Sequence, residues 1–82
     1  MYIPIVNVKA TGENIKRLLI EAGMTVKDLQ KIFGFATPQA IYKWIRGEAL
    51  PTVDNLLILA KVFGVTVDDI LVVNEVEIKV AN

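Results

Sequence analysis

Threonine and glycine punctuate this chain at regular intervals, and that punctuation constrains its fold more than any other feature. All five threonines, Thr11, Thr25, Thr37, Thr52 and Thr66, stand where a helix can begin. A threonine hydroxyl at an N-cap accepts a hydrogen bond from an orphan backbone N–H of the first turn. Three of the five are followed at the third position by Asn or Asp: Thr11/Asn14, Thr25/Asp28 and Thr66/Asp69. A carboxylate there also suits the helix dipole. Four of the five glycines, Gly23, Gly34, Gly47 and Gly64, fall where those helices would end. Glycine closes a helix in the left-handed conformation at little steric cost. Starts and stops together divide the chain into five helices.

The apolar residues recur at helical spacing inside those limits. A first helix over about Thr11–Ala22 carries Ile15, Leu18, Leu19 and Ala22. A second, about Val26–Phe33, carries Val26, Leu29, Ile32 and Phe33. The third, about Pro38–Arg46, turns Ile41, Trp44 and Ile45 inward. Pro38 suits its first helical position, where a missing N–H costs nothing. The fourth, about Val53–Phe63, is almost wholly apolar and is expected to be the central, most buried helix. The fifth is short, about Val67–Leu71.

The two ends are not helical in pattern. Residues 2–8 are rich in β-branched side chains, and Pro4 restricts them to an edge strand. Residues 75–80 alternate strictly, with Glu75, Glu77 and Lys79 on one face and Val76, Ile78 and Val80 on the other. The two segments are expected to pair as an antiparallel ribbon lying on the helices, or to pair between two chains. The fold class expected is therefore mainly all-α, five helices with short terminal strands. Its domains are 1–82 as a single unit, a helical core over 11–71, and terminal strands at 2–8 and 75–80.

Composition removes several classes of function. The 82 residues allow one small domain. A hydrophobic fraction of 54% exceeds the ~45–50% usual for soluble domains, which leaves room for a dense core, a dimer interface or both. With no Cys and no His, the chain has no disulfide, thiol nucleophile or zinc-finger site. It also lacks the commonest general base. No pair of acids is placed for catalysis, so no enzyme activity, cofactor or metal is expected. No apolar run reaches the ~18 residues of a membrane span. The opening residues lack the basic start of a signal peptide, so a cytoplasmic location is expected.

Net charge is zero, but its distribution is uneven. Residues 14–46 hold Lys16, Arg17, Lys27, Lys31, Lys43 and Arg46 against Glu21 and Asp28, a net +4. Residues 47–82 hold Lys61 and Lys79 against six acids, a net −4. Such asymmetry suits a domain that turns one face to phosphate.

The middle of the chain resembles the Cro/C1-type (XRE-family) helix-turn-helix. The resemblance runs from about Thr11 to Leu71. It is carried by Ile15-Lys16-Arg17-Leu18 with Ala22-Gly23-Met24-Thr25, by Leu29 and Gly34, and by Ile41-Tyr42-Lys43-Trp44-Ile45-Arg46-Gly47. Leu50-Pro51-Thr52 and the run Leu56–Leu71 complete it. It implies a lambda-repressor-like domain with its helix-turn-helix over 25–47. It further implies a transcriptional regulator, a repressor for preference, bound as a homodimer to a palindromic operator in double-stranded DNA. Half-sites would lie about 34 Å apart.

Site residues follow position by position. The first two base-reading positions of the third helix are Pro38 and Gln39, and the next reader is Lys43. Gln39 suits adenine, and Lys43 suits guanine O6 or N7. Thr25, Lys27, Thr37, Tyr42 and Arg46 are the candidate backbone contacts, with the loop Gly47–Leu50 nearby. Val26 stands where the family commonly has a phosphate-binding Gln, and Phe35-Ala36 lengthen the turn. Leu19 and Ile45 occupy positions where many members bury an Arg–Glu pair. Replacing both partners with apolar residues strands no charge. The competing expectation is an antitoxin or interaction adaptor that keeps this fold and binds a protein partner, such as a toxin, with little or no DNA binding.

Overall fold

The computed structural model describes residues 1–81; Asn82, the last residue of the expected domain, lies outside them. The chain runs β1 (Tyr2–Val6), α1 (Val8–Glu21), α2 (Val26–Phe33), α3 (Gln39–Ile45), α4 (Val53–Phe63), α5 (Val67–Ile70) and β2 (Val73–Glu77). This is the expected class: five helices with a two-stranded antiparallel sheet formed from the two ends.

The caps of α2, α4 and α5 follow the threonines. Thr25, Thr52 and Thr66 accept hydrogen bonds from the N–H groups of Asp28, Asn55 and Asp69. At α2 and α5 the aspartate also accepts from the threonine N–H, which completes a capping box. Gly34 closes α2 in the left-handed region at φ 70° and needs no Cβ there.

Two threonines do not cap. Helix α1 begins earlier than expected, because the Asn7 side chain accepts from the Ala10 N–H at 2.9 Å and starts the helix there. Val8 therefore belongs to α1 and not to a strand over 2–8. Thr11 becomes an interior residue, wholly buried. Its hydroxyl accepts from the Val72 N–H at 2.9 Å, while the Asn7 N–H donates to the Val72 carbonyl at 2.7 Å. These bonds fasten the foot of β2 to the start of α1. Thr37 is not a cap either. The α3 ladder begins at the Pro38 carbonyl, which accepts from Tyr42, and no side chain caps that end. The later start leaves Thr37 in the loop and puts Pro38 before the first helical residue.

The core joins Ile15, Leu18 and Leu19 of α1 to Leu29, Ile41, Trp44, Leu56, Leu59 and Ile70. Helix α1, not α4, is the most buried element. In so small a bundle α4 packs one stripe, Leu56, Leu59 and Ala60, and leaves Val53, Leu57 and Ile58 exposed. Its apolar composition is therefore not matched by burial. Leu19 is buried, and Ile45 packs half-buried against the same core, so these two positions place no charge in the interior.

The ribbon does not lie on the helices. Every residue of β2 is exposed, and the molecule is elongated, 51 × 22 × 19 Å. The register pairs Tyr2 with Glu77 and Val6 with Val73. Strand limits thus fall at Glu77 and not at Val80, because they are set by what β1 can reach. Met1 and Ile78 exchange backbone bonds at 3.2 and 2.7 Å just beyond the strands. Hydrogen-bonded pairs alternate along an antiparallel ladder, so the nitrogen of Pro4 faces the free edge, where its lack of a hydrogen is harmless.

Candidate nucleic-acid interface

Helix α3 is held on its inner side by Ile41 and Trp44, both buried. Its outer side carries Gln39, Tyr42, Lys43 and Arg46, all exposed. Gln39 and Lys43 are four residues apart and therefore neighbours on one helix face. Tyr42 and Arg46 repeat that spacing beside them. The four side chains form one continuous polar strip on the surface of the molecule.

The turn that aims α3 is built from α2. Gly34 N–H donates to the Lys31 carbonyl and Phe35 N–H to the Gln30 carbonyl at 3.2 and 3.1 Å, the two bonds of a Schellman closure. Gln30 then reaches forward: its side-chain amide donates to the carbonyls of Phe35 and Ala36 at 3.2 and 3.3 Å. Phe33 and Phe35 stack with centroids 5.0 Å apart, and Trp44 meets both edge-on at 5.5 and 6.0 Å. The turn is thus pinned at both its backbone and its rings. Phe35 packs against the core and does not stand free.

Helix α1 fixes α3 from behind. A Cβ on Gly12 would stand 2.2 Å from the Trp44 carbonyl oxygen and 2.8 Å from that of Ile45. Only glycine admits so close an approach. Gly47, at φ 73°, lets the chain leave α3 against the backbone of Lys9.

Among the expected backbone contacts, Lys27 and Thr25 stand exposed at the start of α2, and Thr37 stands exposed before α3. Thr25 also caps α2, as its place before Asp28 predicts. Its N–H donates to the Asp28 carboxylate and its hydroxyl accepts from the Asp28 N–H, and bonding to Thr25, that of the backbone foremost, holds Asp28 below its ordinary pKa. Asp28 brings a negative charge to that helix end, and Lys27 stands exposed beside it. Arg46 is paired with Glu48, both about half exposed. A pair so exposed is worth little in water, and Glu48 competes with any anion for Arg46. Arg17 is tied to Glu21 at 2.8 Å. Lys16, Lys27, Lys31 and Lys43 make no ion pair among the described residues.

Sequence reasoning missed the Gln30 clamp, the pairing of Glu48 with Arg46 and the close approach at Gly12. A polar residue on a helix gives no local sign of the turn it will clamp. Gly12 did carry a signal, as the one glycine of five that no helix end explains.

A five-helix bundle whose second and third helices meet through a tight turn, with the third exposing a polar strip, defines a helix-turn-helix module. A family model described as Helix-turn-helix matches residues 15–70, and the chain belongs to this Cro/C1-type (XRE) family of DNA-binding domains. No curated protein and no solved structure was found to match the chain. No helix among the described residues is long and apolar enough to cross a membrane.

Proposed function

We propose that the chain is a sequence-specific transcriptional regulator, a repressor that acts in the cytoplasm as a homodimer held by its terminal strands. In this reading it places α3 in the major groove of each half of a palindromic operator. Gln39 and Lys43 read base edges. Tyr42 and Arg46 meet phosphates on one side, and Lys27 and Thr37 meet them on the other. The observation that carries the reading is the polar strip on α3, set on a helix whose other side is immobilised by Gly12, Ile41 and Trp44.

The experiment compares two substitutions on a selected operator. Gln39→Ala relaxes preference at one base pair, whereas Arg46→Ala weakens all sequences alike and lowers the salt dependence. Equal loss at every position for both variants contradicts the assignment of Gln39.

A second reading draws on the exposed apolar side chains Val53 and Leu57 of α4. It makes the chain an antitoxin or adaptor that binds a protein partner such as a toxin. A partner complex that covers α3 and excludes DNA favours it.

A further inference from the structure

The two faces of the terminal ribbon are unlike. By the register, Met1/Ile78, Ile3/Val76 and Ile5/Asn74 share one face. Five of these six side chains are apolar and none is charged. The other face pairs Tyr2 with Glu77, Pro4 with Glu75 and Val6 with Val73, and so carries two carboxylates. On the apolar face Met1 is 72% exposed, Ile5 47%, Val76 42% and Ile78 40%. A two-stranded ribbon is marginal by itself in water, and this one is fastened to the helices at its foot, through Asn7, Thr11 and Val72.

We propose that this apolar face is where two copies of the chain stack, ribbon on ribbon about a two-fold axis. The proposal rests on the dimeric reading above and names the surface that makes the dimer. A two-fold interface sets a surface against itself. The uncharged face meets its own copy without conflict, whereas the opposite face would set Glu75 and Glu77 against themselves. Edge-to-edge pairing through β1 is weakened by Pro4, which offers no donor midway along that edge. Pairing through the edge of β2 would leave the apolar face wet. A membrane surface is a poor occupant, because the ribbon sets Glu75 and Glu77 against Lys79 and the Met1 ammonium and so has no excess of positive charge.

The area sets the strength. Six residues per strand and two strands give a face of roughly 20 Å by 10 Å. Two such faces bury less than the ~1,200 Å² of a stable specific interface. The pair is therefore weak in the free protein and is reinforced on an operator, where adjacent half-sites hold two chains side by side.

Sedimentation or light scattering without DNA, from micromolar to millimolar protein, tests this. The mass rises from the 9.1 kDa of one chain towards twice that value. Val76→Lys holds it at one chain, and so does the double variant Ile5→Thr/Val76→Thr, which keeps β-branched residues in both strands. Glu77→Lys, on the other face, leaves the pair intact. Circular dichroism shows the same helix content throughout. A wild-type chain that stays monomeric at millimolar concentration overturns the proposal. So does a pair that survives both face variants, or one that Leu57→Glu on α4 dissolves while they do not. Because DNA is absent, a dimer that binds no operator contradicts only the DNA reading, and a monomer that binds one contradicts only this proposal.

Discussion

Gly12 of α1 lies so close to Trp44 of α3 that a single added methyl would come within 2.2 Å of the Trp44 carbonyl oxygen. The contact is backbone to backbone, so no rotamer change relieves it. The aim of the reading helix therefore depends on a residue that is itself buried and remote from its polar strip.

Gly12→Ala should destabilise the fold by about 3 kcal/mol, the upper range for overpacking a tight site, out of the ~5–15 kcal/mol typical of a domain. Denaturant titration measures it. A loss below about 0.5 kcal/mol, the level of an ordinary surface change, would show that α1 and α3 are further apart than described.

Thr11 links α1 to β2 through a buried hydroxyl. Thr11→Val keeps the shape and orphans the Val72 N–H, at a cost of about 1–2 kcal/mol. Thr11→Ser keeps the acceptor and should lose less. If Ser and Val behave alike in thermal melts, the hydroxyl does not hold the ribbon.

Thr11 also shows where the chain's punctuation misleads. Thr25 and Thr52 mark real helix starts because nothing upstream competes for them. Thr11 follows Asn7, an equally good cap, and the helix took the earlier one. At Thr37 the clamp from Gln30 and the stacked Phe33 and Phe35 govern the loop, and those are contacts between residues on different elements. The α4 run shows the same limit: apolar composition says that a helix can be buried, while the number of neighbours in the bundle decides which side is. The alternation in residues 75–80 was legible as a strand, but its pairing belongs to residues 73–77 because β1 supplies the partner.

Gln30 supports α3 without touching its strip. Gln30→Ala should leave the melting temperature nearly unchanged, since each bond lost is to a partly exposed carbonyl. It should nevertheless lower operator affinity about tenfold, equivalent to ~1.4 kcal/mol of lost placement. An affinity equal to wild type would show that the turn is held by the aromatic stack alone.

Acid should loosen the helix caps. Asp28 and Asp69 are both held below the ordinary carboxylate value of 3.8 by bonds from Thr25 and Thr66, the backbone N–H foremost. A depressed folded-state pKa gives stability that is present above the unfolded value and lost as pH falls through the folded one. Melting temperature should therefore hold steady down to about pH 4 and fall below it. In Asp28→Asn/Asp69→Asn that acid-dependent fall should be shallower. An unchanged pH profile in the double variant would remove both boxes from the account.

The central claim is that α3 reads DNA sequence, and random-library selection against duplex DNA at two salt concentrations tests it most directly. The account predicts enrichment of one two-fold symmetric site with half-sites about 34 Å apart, and an affinity for it that weakens steeply as salt rises. Recovery of no preferred sequence, or an affinity indifferent to salt, would contradict it.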